Sequence, residues 1–214
     1  MANKHPSFLQ DTPDFLRTVE DINGKECIPE GSMLVSIDVS ALYTNIPQDE
    51  GIEATREALL ERSNPEVPSE FIIRLLEIIL KYNIFEFNSE LFLQIIGTAM
   101  GTRPAVSYAN IFMARRIDKK ISSLAAQLQD GKNPLLCLKR FLDDIFTIYT
   151  GTVENLHEFI EKLNDIHPTI KFTMNHTTPS APTSENPATP HPVCAVEATP
   201  FHSWTPPVVS EMGR

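Results

Sequence analysis

The sequence predicts an α+β fold, with helices packed on one face of an antiparallel sheet. Three observations predict it. Met33 to Val39, MLVSIDV, is an apolar run of strand length. Leu135 to Phe141 and Ile145 to Tyr149 are two further β-prone runs separated by a short acidic break. The segments around them carry helical spacing, giving the order strand, helix, helix, hairpin, helix, hairpin, helix, strand.

The elements follow in turn. Asp11 to about Ile22 has Phe15, Leu16 and Val19 on one face of a short helix. After the MLVSIDV strand comes a turn-like SALYTNIP. Gln48 to Arg62 has helical spacing, with Ile52, Ala58 and Leu59 apolar; Asn64, Pro65 and Pro68 close it. Ser69 is a good N-cap for a helix over Glu70 to Tyr82. Its apolar positions Phe71, Ile72, Leu75, Leu76, Ile79 and Leu80 predict deep burial. Ile84 to Phe87 and Leu91 to Ile95 flank Asn88-Ser89 as a hairpin. The loop GTAMGTRPA opens into a long helix reaching about Gln129, and Gly131 and Pro134 end that segment. The Asp143-Asp144 pair reads as the tip of the second hairpin. Val153 to Asp165 is a helix with Leu156, Phe159, Ile160 and Leu163 on one face, and Thr169 to Met174 alternates as a strand.

The 214 residues suit one domain plus a tail, 1–176 and 177–214. Eight of the 17 prolines fall in the second stretch and no periodicity survives there, so it is read as disordered. No apolar run approaches the roughly 20 residues that span a bilayer. MANKHPSFLQDTPDF has no apolar core of a signal peptide. The expected setting is intracellular, nuclear or cytoplasmic, and not secreted. Cys27, Cys137 and Cys194 have no zinc-type spacing, and Cys137 reads as a buried reduced thiol. A formal charge of −10 argues against a free-standing nucleic-acid binder, because phosphate contacts need Lys and Arg.

Three carboxylates stand out by position. Asp38 ends an apolar strand, and Asp143 and Asp144 sit between two others. Aspartate is a poor strand residue and costly to bury unpaired. Adjacent like charges repel and raise each other's pKa. A hard divalent cation relieves both problems. Taken alone, the pair fits an ordinary solvated turn at least as well.

The surrounding residues narrow the choice. SIDVSALYTNIP resembles motif A of reverse transcriptases in the form seen in Penelope-like retroelements. GTAMGTRPAVSYANIFM resembles their motif B, FLDDIF their motif C, and LNDIHPTIKFT the motif D region. The resemblance covers roughly Phe8 to His176, with four motifs in order. Val106 departs from a proline common in relatives, and Phe141 from a tyrosine. The resemblance implies a reverse-transcriptase palm, the catalytic core of an RNA-directed DNA polymerase.

It also implies roles. Asp38, Asp143 and Asp144 are the catalytic carboxylates, and with the Val39 carbonyl they hold two Mg²⁺ ions, with Mn²⁺ as a substitute. Tyr43 aligns with the aromatic that blocks a ribose 2′-hydroxyl; a core aromatic is the alternative. Gly97, Met100, Gly101 and Arg103 form the nucleotide-binding loop, with glycines admitting close backbone approach. Arg103 is open between a phosphate contact and a solvated surface position. The implied partners are an RNA template, a DNA primer and dNTPs, with no membrane.

The resemblance further implies that the basic fingers, the thumb and an endonuclease lie outside these residues, in keeping with the negative charge. The isolated chain is therefore expected to be weak or inactive. A non-catalytic palm remnant that binds metal or a partner is the alternative. A telomerase-related protein is a third reading. Back-translation of TPFHSWTPP allows a codon choice that reads PFLDTS in another frame, the segment with which relatives continue past motif D. A frameshift between about Ser184 and Phe201 is the corresponding expectation for the tail.

Overall fold

Strand β1, Met33–Val39, is the centre of the fold. Its residues alternate between a buried row (Met33, Val35, Ile37, Val39) and a more open row ending in Asp38. Side chains of a strand point alternately to the two faces, so one face belongs to the core. The computed structural model describes residues 6–25, 28–127 and 133–177. The expected tail, Cys27 and Cys194 lie outside these, apart from Thr177.

Strands β4 (Leu135–Phe141), β5 (Asp144–Tyr149) and β6 (Phe172–His176) complete the sheet, in the order β4-β5-β1-β6. Every pairing of these strands is antiparallel, as expected. β1 pairs with β5 from Met33 opposite Tyr149 to Asp38 opposite Asp144. β6 begins three residues later than its sequence pattern suggests. The residues ahead of it serve as a connector: the Thr169 hydroxyl donates to the Asn45 carbonyl at 2.6 Å, and Asn164 holds both backbone polar groups of Phe172.

The helix layer covers the buried row of β1. It contains α3 (Gln48–Leu60), α4 (Ser69–Lys81), α5 (Ala105–Phe112), α6 (Asp118–Gln127) and α7 (Val153–Leu163). Phe112, Met113, Ile117, Ile121, Phe159 and Leu163 join Val35, Ile37 and Val39 in one core. Thr152 caps α7 by accepting from the Asn155 amide. The long helix expected after the GTAMGTRPA loop is interrupted. Met113–Ile117 forms a π turn between α5 and α6.

Three expectations need correction. Helix α1, Thr12–Lys25, lies on the opposite face of the sheet, where the rings of Phe15 and Phe146 meet edge-on at 5.1 Å. Phe15 packs on that open row, while Leu16 of the same stripe is exposed. Ser69 is the first residue of α4, and its hydroxyl accepts from Arg62 instead of capping the helix. Cys137 is half-buried, not buried, and stands on the edge strand β4.

The largest correction concerns α4 and the hairpin of β2 (Ile84–Phe87) and β3 (Glu90–Leu93). The turn is as expected, with Asn88 and Ser89 both at positive φ, the pattern of a tight hairpin. The burial is not. Only Ile73, Leu76 and Leu80 of α4 are buried. Phe71 is 57% exposed, Leu75 and Ile79 are exposed too, and all eight strand residues are exposed. A helix apolar on several sides needs several neighbours to bury it. Among the described residues α4 has α3 along one side.

Candidate active site

The β1 strand delivers Asp38 to the end of the sheet where the β4–β5 hairpin turns. The turn residues are Leu142 and Asp143, since Phe141 and Asp144 still pair across the ladder. Asp144 is thus the first residue of β5, not part of the tip as the sequence suggested. Leu142 takes a left-handed φ of 55°, unfavourable for a residue with a Cβ. The Val39 amide donates to the Asp143 carbonyl at 3.0 Å and ties β1 to the turn.

This geometry brings Asp38 and Asp143 together. Burial, and then the negative charge of Asp143, raise the Asp38 carboxyl above its ordinary range. Tyr43 joins the same field. Its phenol is raised by burial first and by Asp143 second. Among the described residues neither the Asp38 nor the Asp143 carboxylate has an ion-pair partner. Two mutually repelling carboxylates without a protein cation are a donor set that suits a divalent ion.

Asp144 takes a different environment. It lines a pocket of about 160 Å³ under α1, with Leu9, Phe15, Ser36, Phe141 and Phe146. Among the described residues no group of three His, Cys, Asp or Glu side chains is arranged to hold a metal ion. The expected trio is therefore drawn as a close pair, Asp38 and Asp143, with Asp144 beside it. Mg²⁺ is commonly held by one or two carboxylates together with substrate phosphates, so a pair is a sufficient protein contribution.

The nucleotide-loop residues fall into two groups. The turn after β1 reverses at Ala41, φ 49°, into the short helix α2, Leu42–Asn45. Gly97 docks on that turn. Its amide donates to the Ile46 carbonyl at 2.9 Å, and the Thr98 amide to the Tyr43 carbonyl at 2.7 Å. Gly97 has φ +73°, and a Cβ there would lie 2.4 Å from the Tyr43 carbonyl oxygen. Its missing side chain thus makes room for protein backbone, not for a nucleotide as expected. Gln48 completes the joint by donating to the Leu80 and Gly97 carbonyls. Met100, Gly101 and Arg103 are exposed, and the open side of Gly101 has no atom within 4 Å.

A buried network behind the turn was missed in the sequence. Arg140 and Asp118 form an ion pair with both side chains only 1% exposed. The Arg140 Nε and Nη2 donate to Asp118, while Nη1 donates to Asn110 Oδ1 at 3.0 Å and to the Leu142 carbonyl at 2.8 Å. Ser7 also donates to Asp118, at 2.7 Å. The available signal was an arginine at an inward position of LLCLKRF, a strand that otherwise presents apolar groups to the helices.

No family model matches this sequence, and no curated protein matches it. Solved structures do. An apo telomerase from Candida tropicalis, truncated from its C-terminal domain, superposes with a TM-score of 0.55 at 14% identity, over 80% of this chain and 36% of that one. A Candida albicans telomerase in complex with a fragment of telomeric RNA gives 0.57 at 11% identity, over 82% and 33%. The fold is that of a polymerase palm. At such identities the likeness is one of fold. The palm described here spans about a third of the telomerase chains that it matches. Its Asp38–Asp143 pair lies where the sheet order and the two antiparallel hairpin strands converge.

Proposed function

We infer that this chain is the palm part of an RNA-directed DNA polymerase of the Penelope-like kind. The observation that carries the reading is the convergence of Asp38, near the end of β1, and Asp143, in the β4–β5 turn, with Tyr43 in the same field. The reaction is attack of a primer 3′-hydroxyl on the α-phosphate of a dNTP. One phosphorus–oxygen bond forms, and pyrophosphate leaves. Two divalent ions bound there would activate the attacking hydroxyl and stabilise the leaving oxygen.

The chain's own groups divide the work. Asp38 and Asp143 would supply the carboxylate oxygens and the Val39 carbonyl a further one, with Asp144 beside them. The Tyr43 ring, fixed through its own carbonyl to the Thr98 amide, is a steric filter beside the sugar. Met100, Gly101 and Arg103 offer an exposed loop to the nucleotide. An RNA partner is in keeping with the Candida tropicalis telomerase solved with a fragment of telomeric RNA.

Mn²⁺ binding followed by electron paramagnetic resonance tests the site. Saturable binding that is lost in Asp143→Asn supports it, and equal binding by both proteins ends it. Primer extension tests the chemistry. With a charge of −10, these 214 residues tested alone are expected to extend a primer weakly or not at all. The charge of −10 favours the second reading, a non-catalytic palm remnant, because phosphate contacts need Lys and Arg. Robust Asp143-dependent extension would exclude the remnant.

A further inference from the structure

The Arg140 network lies outside the carboxylate site. Its cost is high. Burying a guanidinium and a carboxylate costs several kcal/mol of solvation each, and an apolar pair is often at least as stable. Arg140 sits in β4 opposite Ile145 and points into the helix layer. Its fork uses one side for Asp118 and the other for Asn110 and the Leu142 carbonyl. Leu142 is the left-handed residue immediately before Asp143.

The helix is built to meet that fork. Asn110 belongs to α5 and Asp118 to α6, with the π turn Met113–Ile117 between them. In an unbroken α-helix a step of eight residues ends about 80° away from its starting face. One extra residue taken up by a π turn makes the step equivalent to seven, which closes the offset to about 20°. The π turn thus brings Asn110 and Asp118 onto one face, and no Pro or Gly is needed to produce it.

We propose that Arg140 is a positioning residue: held by Asp118 and Asn110 across the π turn, it latches the Leu142 carbonyl and so sets where Asp143 stands relative to Asp38. The latch rests on the metal-site reading for its purpose, but its geometry is tested independently. The reporter is the Val39 amide, which donates to the Asp143 carbonyl.

The experiment uses the full 214-residue chain. Amide exchange and Mn²⁺ affinity are measured for the unsubstituted protein, Asn110→Ala, Arg140→Lys and Asp143→Asn. Asn110→Ala removes one hold on the fork and leaves the Arg140–Asp118 pair in place. Arg140→Lys keeps the charge and loses the fork. In both, Val39 exchange is expected to rise about tenfold, the scale of one lost hydrogen bond to a charged group. Exchange at Ile37 and Ile148 should stay unchanged. Mn²⁺ affinity should fall about tenfold, as for other groups that orient metal ligands. If Arg140→Lys does not fold, Asn110→Ala decides. Unchanged Val39 exchange in Asn110→Ala, or a rise spread evenly through the sheet, overturns the latch. A selective Val39 response in a protein that binds no Mn²⁺ supports the latch and ends the metal reading.

Discussion

Behind the Leu142–Asp143 turn, charged groups are buried and matched; on α4 and the β2–β3 hairpin, apolar groups lie open. Among the described residues no buried side-chain nitrogen or oxygen lacks a partner, and the Arg140 fork is the densest example. On the other side Leu91 is 74% exposed and Phe71 is more than half exposed. Burial therefore follows which elements stand next to a residue, with residue type a weaker guide. The two regions also differ in tolerance. A matched buried network fails when one member is removed, whereas an open apolar face loses little by a polar substitution.

The contrast can be broken in measurable ways. Asp118→Ala strands the Arg140 charge in the interior and should cost about 3–5 kcal/mol, read from urea unfolding. A loss below 1 kcal/mol would show, on the scale of a surface pair, that the network is not matched as described. Gly97→Ala should cost about 1–3 kcal/mol, because the backbone is left-handed there and the new methyl meets the Tyr43 carbonyl. Calorimetry of the same substitution at Gly101, where nothing lies within 4 Å, gives the control.

Smaller effects belong to the open face. Phe71→Ser and Leu91→Ser should shift stability by no more than about 0.5 kcal/mol and reduce self-association in light scattering. A large loss of stability would mean that this face is covered in solution. Asp38→Asn is the smallest. The folded protein raises this carboxyl, so its ionised form opposes folding. The penalty is present above the raised folded pKa and vanishes as pH falls to the ordinary value of 3.8. The substitution should stabilise at pH 7 by at most about 0.5 kcal/mol, since exposed charges are screened. Melting at pH 7 and pH 3.5 checks the sign: the gain should be absent at the lower pH.

Much of the fold was legible because its signals are local. The alternation of MLVSIDV, the Asn88-Ser89 turn and the stripe of α7 each specify an element without reference to neighbours. Asp38 was legible because a carboxylate ends an apolar strand. The failures share a cause. Phe71 and Leu75 read as buried because their helix carries a wide apolar face, yet burying all of it needs a second layer. Asp144 read as a turn residue because acidic pairs favour turns, yet the ladder continues to it and forces Leu142 into the turn instead. Arg140 and Asp118 are 22 residues apart, and their pairing depends on a π turn without a breaker residue to announce it. Gly97 was read as a ligand contact because glycine permits any close approach, and the sequence does not say of what.

The β1–β5 register has one more consequence. Asp38 stands on the open face only because Met33, Val35, Ile37 and Val39 take the other. A slip of one position would drive the carboxylate into the layer of Phe112 and Phe159 and turn four apolar side chains to water. Misassembly of the site is therefore also misassembly of the core. A copy in which β1 has slipped is thus penalised in its core as well as in its site.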